Sequence, residues 1–309
     1  MKITYAEFTA QDNRASTLLR QFSVVLLWPL YLVAAPLVVQ RIGVWSLLPL
    51  LPLGTYLVMW VGLLRHEVWH KNFDRVDPRR AFRLLSYLVF TDPHPYYLFH
   101  GQHHTHVHTR KDPILFCEGN DDLRTRRRVF ILEFLLGNAA WEFMTLGRLV
   151  RTAKVSRKEV LGAVPYRLLP LLVTAAATYA VGGSGALALY PLTTLATVWV
   201  GSQAARHVQW IEHLGVLAEG SMEERSLRTN NLTRATPFGW LFNVLTLNET
   251  WNHTYHHVAP AQPLSSIDAV EPAPDHRVID GRQYASILWS HWKSLQDTVE
   301  NREATRSMS

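Results

Sequence analysis

Apolar residues along this chain come in two paired blocks, and each pair runs on into a stretch that carries histidine. Residues 22–39, FSVVLLWPLYLVAAPLVV, hold no charge over 18 positions, close to the roughly 20 residues that span a 30 Å hydrocarbon layer. A short turn bearing Gln40 and Arg41 leads to a second uncharged run at 44–64. The arrangement recurs at 168–181 and 186–200, on either side of Gly182-Gly183-Ser184-Gly185. The pattern predicts two helical hairpins, four membrane-spanning helices at about 22–40, 44–65, 168–182 and 186–205. Pro29 and Pro36 are expected to kink or shorten the first, which membrane helices tolerate.

The second and fourth runs do not end with the lipid. Arg65-His66-Glu67-Val68-Trp69-His70 continues one without Gly or Pro, and 202–213 continues the other to Glu212-His213. At about 1.5 Å per residue these histidines stand a turn or two beyond the hydrocarbon. The remaining apolar pieces, 84–90 and 238–247, are too short to cross. Residues 129–147 are long enough but carry Glu133, Asn138 and Glu142, and charges at mid-membrane cost a few kcal/mol each. That segment is expected at the interface or packed on the membrane helices. Pro260, Pro263, Pro272 and Pro274 mark an extended stretch before an amphipathic helix near 282–299. The expectation is a single domain over 1–309, with a cap at 66–128 and 206–265 and a tail at 266–309.

An even number of crossings separates every histidine-rich stretch from the next, so all lie on one side. That side carries nearly every Lys and Arg, while the two short opposite loops hold Arg41 and no other basic residue. By the positive-inside rule the histidine side and both termini are cytoplasmic, as in a bacterial inner membrane. The N-terminus lacks the short apolar core and small-residue cleavage site of a secretory signal.

The chemistry sits in the histidines. His66 and His70 are i, i+4. His100, His103 and His104 are i, i+3, i+4 within HGQHHTHVH, and HTYHH repeats the spacing at His253, His256 and His257. Helical periodicity puts such residues on one face. With His213 this makes nine candidate metal ligands, more than one tetrahedral ion accepts, so two ions are expected. Imidazole suits zinc, copper, iron or nickel, and spacing alone does not choose. A net charge of +6 without a long basic block argues against a nucleic-acid partner, and a single cysteine, Cys117, excludes an internal disulfide and an Fe–S cluster held by this chain alone. Redox chemistry here would need electrons from outside.

HEVWH, HGQHH and HTYHH, with EHLG at 212–215 before the third box, resemble the membrane fatty acid desaturase and hydroxylase superfamily in box order, gaps and hairpin placement over about 22–263. Glu67, EHLG and the gap lengths are similar to the alkane hydroxylase branch, whereas Asn252, Pro260 and Pro263 are closer to acyl desaturases. The resemblance implies an all-α integral membrane protein whose cytoplasmic cap holds two non-haem iron ions. It also implies O2 as co-substrate, a lipid or acyl chain as substrate, and a ferredoxin or rubredoxin with its reductase as electron donor. The nine histidines would be the iron ligands, with Glu67, Asp112, Glu212 and Asn252 as neighbours able to orient imidazoles.

Other readings make different demands. HEVWH also fits HExxH, the zinc peptidase pattern with Glu67 as base, but that leaves two HxxHH boxes idle. A non-catalytic metal carrier would bind metal without consuming O2. His207 lies six positions before His213, about 240° around a helix, so the two should not share an ion. His106 and His108 are read as supporting or surface residues, and His94, His276 and His291 as surface residues. The arginines at 124 and 126–128 suit lipid headgroups or an acidic carrier. The sequons at Asn231, Asn248 and Asn252 are chance matches on a cytoplasmic face.

Overall fold

The computed structural model describes residues 14–70, 78–88, 93–114, 122–246, 249–260, 262 and 271–307. Cys117, Asn248 and Pro263 lie outside them. The chain is mostly helical and falls into two compact units: residues 1–97 with 142–205, and residues 98–141 with 206–309.

In the first unit, α1 (Arg14–Ile42) runs through Pro29 and Pro36 without ending, and a short 3-10 turn at Val44–Ser46 leads into α2 (Leu47–Trp69). Trp28, Leu32 and Ala35 of α1 pack with Leu57, Val61 and Leu64 of α2. α3 (Pro78–Leu88) adds Leu85 and Leu88 to this cluster, and the Leu88 carbonyl accepts the Trp28 indole N–H. A Cβ on Gly54 would meet Thr197 and the Tyr31 ring at 2.4–2.5 Å, so glycine lets these elements approach closely. The Tyr31 hydroxyl sits between the Leu50 carbonyl and the Thr197 hydroxyl.

The helical stretch α7 (Arg157–His213) covers 57 residues and is interrupted at Gly183, which is not helical, with φ 69° and ψ −163°. The Tyr190 hydroxyl hydrogen-bonds to the Thr174 hydroxyl at 2.6 Å, yet 16 residues of straight helix would separate these positions by about 24 Å. The chain therefore doubles back at Gly182-Gly183, as the glycine run predicts. No L-residue adopts the Gly183 conformation cheaply. The first arm begins at Arg157, well before the apolar run, and Pro165 is absorbed within it, as is Pro170 inside the run itself.

The helices of this unit reverse the polarity of a soluble protein. Leu26, Leu30, Leu172, Val173 and Leu195 are 59–70% exposed, while Thr174, Thr178, Thr193, Thr194 and Thr197 are buried. Hydroxyls buried inward and leucines turned outward suit helices packed in lipid, where small polar residues join helices and apolar faces meet acyl chains. Among the described residues, α1, α2 with its leading turn, and the kinked α7 are long and apolar enough to cross a membrane.

The segment 129–147 is not one helix. Gly137, at φ 63°, separates α5 (Leu123–Leu136) from α6 (Asn138–Arg151). Glu133 of α5 belongs to the second unit, is fully buried and pairs with Arg206 at 2.6 Å. Glu142 of α6 belongs to the first unit, where Arg65 stands 3.9 Å away. Burial raises the Glu142 carboxyl to about 7, against the pull of Arg65.

The second unit is built around α4 (Pro93–His106), α5, the end of α7, α8 (Met222–Ser226), α9 (Pro237–Leu245), α10 (His253–Val258) and α11 (Gly281–Ser307). Two three-residue strands, β1 (Asn230–Leu232) and β2 (Arg277–Ile279), pair in parallel with Asn231 opposite Val278. Asn231 fastens the third histidine box: its side chain donates to the Thr254 hydroxyl and accepts from the Thr254 N–H. Asn231 and Asn252 are fully buried, which closes both sequons to a glycan in the folded chain.

Candidate metal centre

α4 presents HGQHH, and its orphan C-terminal carbonyls are capped rather than left bare. Thr109 returns both its N–H and its hydroxyl to the His106 carbonyl. The Arg225 guanidinium donates to the carbonyls of Thr105 and Val107. α10 presents HTYHH from Asn252 at its N-cap. The end of α7 supplies His213.

Seven of the nine predicted ligands lie in the second unit, and six of them meet through Nε2. His104 Nε2 is 3.2 Å from His100 Nε2 and 3.2 Å from His256 Nε2. His253 Nε2 is 3.2 Å from His213 Nε2 and 3.1 Å from His257 Nε2. The His103 ring centroid lies 4.6 and 4.8 Å from those of His213 and His257, in edge-on contact. One group is thus His100, His104 and His256, and the other is His103, His213, His253 and His257. In the first unit, His66 and His70 stand as an edge-on pair with ring centroids 4.8 Å apart.

The HxxHH spacing therefore does not deliver three ligands to one point. Each box splits: the i, i+4 pair goes to one group and the middle histidine to the other. His100 and His104 pair with His256, while His253 and His257 pair with His103. On a helix, positions i and i+4 differ by about 40° while i+3 and i+4 differ by about 100°, so the third imidazole faces a different point.

Six Nε2 atoms meet at such distances, and as bare lone pairs they repel one another unless a cation lies among them. Two imidazole nitrogens each about 2.1 Å from one ion stand about 3.0 Å apart at a right angle and about 3.4 Å at the tetrahedral angle. The observed 3.1–3.2 Å lies in that interval, so the donor set fits divalent metal. Burial also keeps the imidazoles of His253 and His257 neutral, the form that binds metal: both are held well below the usual histidine range, by desolvation first and by neighbouring imidazoles second.

Carboxylates surround the second group. The buried Asp112 accepts from His103 Nδ1 at 2.9 and 3.0 Å, which leaves His103 Nε2 for an ion. Glu212 Oε1 is 3.4 Å from His253 Nδ1, and Glu212 Oε2 is 3.9 Å from His213 Nε2. Asn252 is buried at the start of α10, and Glu67 is buried between His66 and Val68 on α2.

Two histidines read as surface residues, His276 and His291, are buried, and His108, read as supporting or surface, is buried beside a predicted ligand. His108 is fully buried and touches His213. His276 lies edge-on against Tyr255, and His291 packs 5.1 Å from Phe130. His108 is buried by Arg225 and His213, His276 by Tyr255 of α10 and His291 by Phe130 of α5, long-range contacts that local polarity does not reveal. His207 hydrogen-bonds to the Tyr284 hydroxyl, away from His213 as the helical angle requires. The His94 side chain lies outside the described residues.

Burial first, and the Arg126 cation second, push His291 down to about 4, against about 6.5 in an unfolded chain. Between these values the unfolded chain takes up a proton that the folded chain refuses. Stability is therefore greatest above pH 6.5 and drains as the pH falls towards 4. Melts of the metal-free protein in detergent should show Tm dropping from pH 7 to pH 5, with a shallower drop in His291→Leu; an equal slope in both would exclude this histidine as a source.

A mostly helical protein with helices long and apolar enough to cross a membrane and clusters of histidine that could hold metal fits the class of integral membrane proteins with a polyhistidine site. The profile of the fatty acid desaturase family matches residues 42–287, most of the chain, and the chain belongs to that family, within the membrane fatty acid desaturase and hydroxylase superfamily. A search of curated proteins finds no match.

Proposed function

We propose that the protein is an O2-dependent desaturase of a fatty acyl or related lipid chain, acting at a diiron centre held by His66, His70, His100, His103, His104, His213, His253, His256 and His257. The observation that carries this reading is the convergence of six imidazoles through Nε2, with the His103 ring against two of them, into two adjoining groups in a chain of this family. His66 and His70 are assigned from the box pattern. Bound iron would supply the oxidising power to break an unactivated C–H bond. The reaction balances as R–CH2–CH2–R′ + O2 + 2 e⁻ + 2 H⁺ → R–CH=CH–R′ + 2 H2O.

The chain's own contributions follow from its residues. Asp112 fixes the His103 tautomer, and burial holds His213, His253 and His257 well below the usual histidine range, in the neutral form that binds metal. The apolar faces of the four proposed spans, arranged as two hairpins with the boxes on the cytoplasmic side, bring the protein to a membrane-borne substrate. Two electrons come from a ferredoxin or rubredoxin with its reductase.

Hydroxylation is the second reading, favoured by EHLG, whose Glu212 lies within 4 Å of His213 and His253. Product mass separates the two: lipids from cells expressing the protein should lose two hydrogens, whereas a gain of one oxygen would make it a hydroxylase. Elemental analysis tests the metal. One zinc, no iron, and activity that depends on Glu67 would replace both readings with a zinc peptidase.

A further inference from the structure

His108 is one of two described non-glycine residues at positive φ, at 58°, and it is fully buried. A strained, buried residue beside a functional site asks for a reason, and its ring supplies one. Its Nδ1 lies 2.8 Å from the Arg225 carbonyl, and its Nε2 lies 3.0 Å from His213 Nδ1. A carbonyl only accepts, so His108 Nδ1 carries a hydrogen. In the neutral imidazole Nε2 is then a bare lone pair. It can only accept, so His213 Nδ1 carries its own hydrogen and His213 Nε2 is left unprotonated, facing His253 Nε2.

The backbone holding His108 is committed to the same end. The His108 N–H donates to Asp112 Oδ2, and Asp112 is the carboxylate that accepts from His103 Nδ1. The Ile114 N–H donates to Asp112 Oδ1, and the Ala218 N–H to the His108 carbonyl. One turn, residues 107–114, therefore orients two imidazoles that reach the second histidine group from different elements, His103 from α4 and His213 from α7.

We propose that His108 is a positioning residue: through the chain Arg225 C=O, His108, His213 it fixes the tautomer in which His213 offers Nε2 to metal. The inference rests on His213 being a ligand. His108 binds no ion itself, since both its nitrogens are engaged.

The test uses full-length protein in detergent, loaded with ferrous iron, measuring iron retained per chain and its release rate to a chelator. His108→Asn keeps a donor near the Nδ1 position, tolerates positive φ, and lacks an acceptor at Nε2. His108→Gln places an amide oxygen near the Nε2 position, where it can accept from His213. Loss of the orienting partner is expected to weaken one iron by about 10–100-fold in His108→Asn, the range for supporting groups of metal ligands. His108→Gln should recover most of that retention, and His106→Ala should match the parent. Retention in both His108 variants would overturn the proposal. Loss in both, failure of both to fold, or loss in His108→Gln alone would assign His108 to packing and overturn it equally. His213→Ala is the control for the underlying reading: if it keeps all its iron, His213 is not a ligand and the site assignment fails first.

Discussion

Replacing His257 with alanine should abolish turnover and release one of the two ions. His257 is 2% exposed, its Nε2 stands 3.1 Å from His253 Nε2, and its ring also meets those of His103 and His213. No other side chain on α10 can replace it, because His253 already faces the same point and His256 faces the other group. Loss of a mere supporting partner costs about 10–100-fold in affinity or activity, so loss of the ligand should exceed about 100-fold. Iron per chain should fall by about half while the helical signal is unchanged. Full iron retention with full activity would remove His257 from the centre, and with it the division of each box between two ions.

The largest stability effect should come from Glu133→Leu. Glu133 and Arg206 have no exposed surface, and their 2.6 Å contact compensates two buried charges. Burial alone pushes the Glu133 carboxyl up, and Arg206 opposes that rise. Removing the carboxylate leaves the guanidinium buried among the Ile114 carbonyl, Gln209 and the Trp210 ring. An uncompensated buried charge of this kind costs about 3–5 kcal/mol. Tm in detergent should fall sharply, and Glu133→Leu combined with Arg206→Met should recover much of the loss; a double variant no better than the single would show that packing, not charge, is at stake. Because Arg206 holds the Ile114 carbonyl beside the Asp112 turn, the single variant should also loosen iron in the second histidine group.

Much of this protein is written locally. Uncharged runs of the right length specify helices that tolerate lipid, since lipid leaves no water to satisfy a bare backbone. Glycine at 183 specifies a reversal because other residues resist its backbone angles, and Gly182 beside it leaves no room for a side chain. HxxHH places imidazoles on a helix face by periodicity alone, and the six of the two boxes, with His66, His70 and His213, imply a metal site from sequence.

Other features depend on which distant segments meet. The sequence could not say that each box is shared between two groups, because the target of His103 or His256 is set by the partner helix, not by its own. Nor could it separate His108 from His106: both are polar, two residues apart, yet one is buried against His213 and Arg225 and the other stays half-exposed. Glu133 read only as an obstacle to crossing the membrane, because the partner that lets it be buried, Arg206, lies 73 residues away. Periodicity and hydropathy are properties of short stretches, so the sequence alone determined the helices and the ligand residue types. Pairing of charges, tautomers and metal-facing nitrogens is a property of contacts between stretches, and only the tertiary structure decided those.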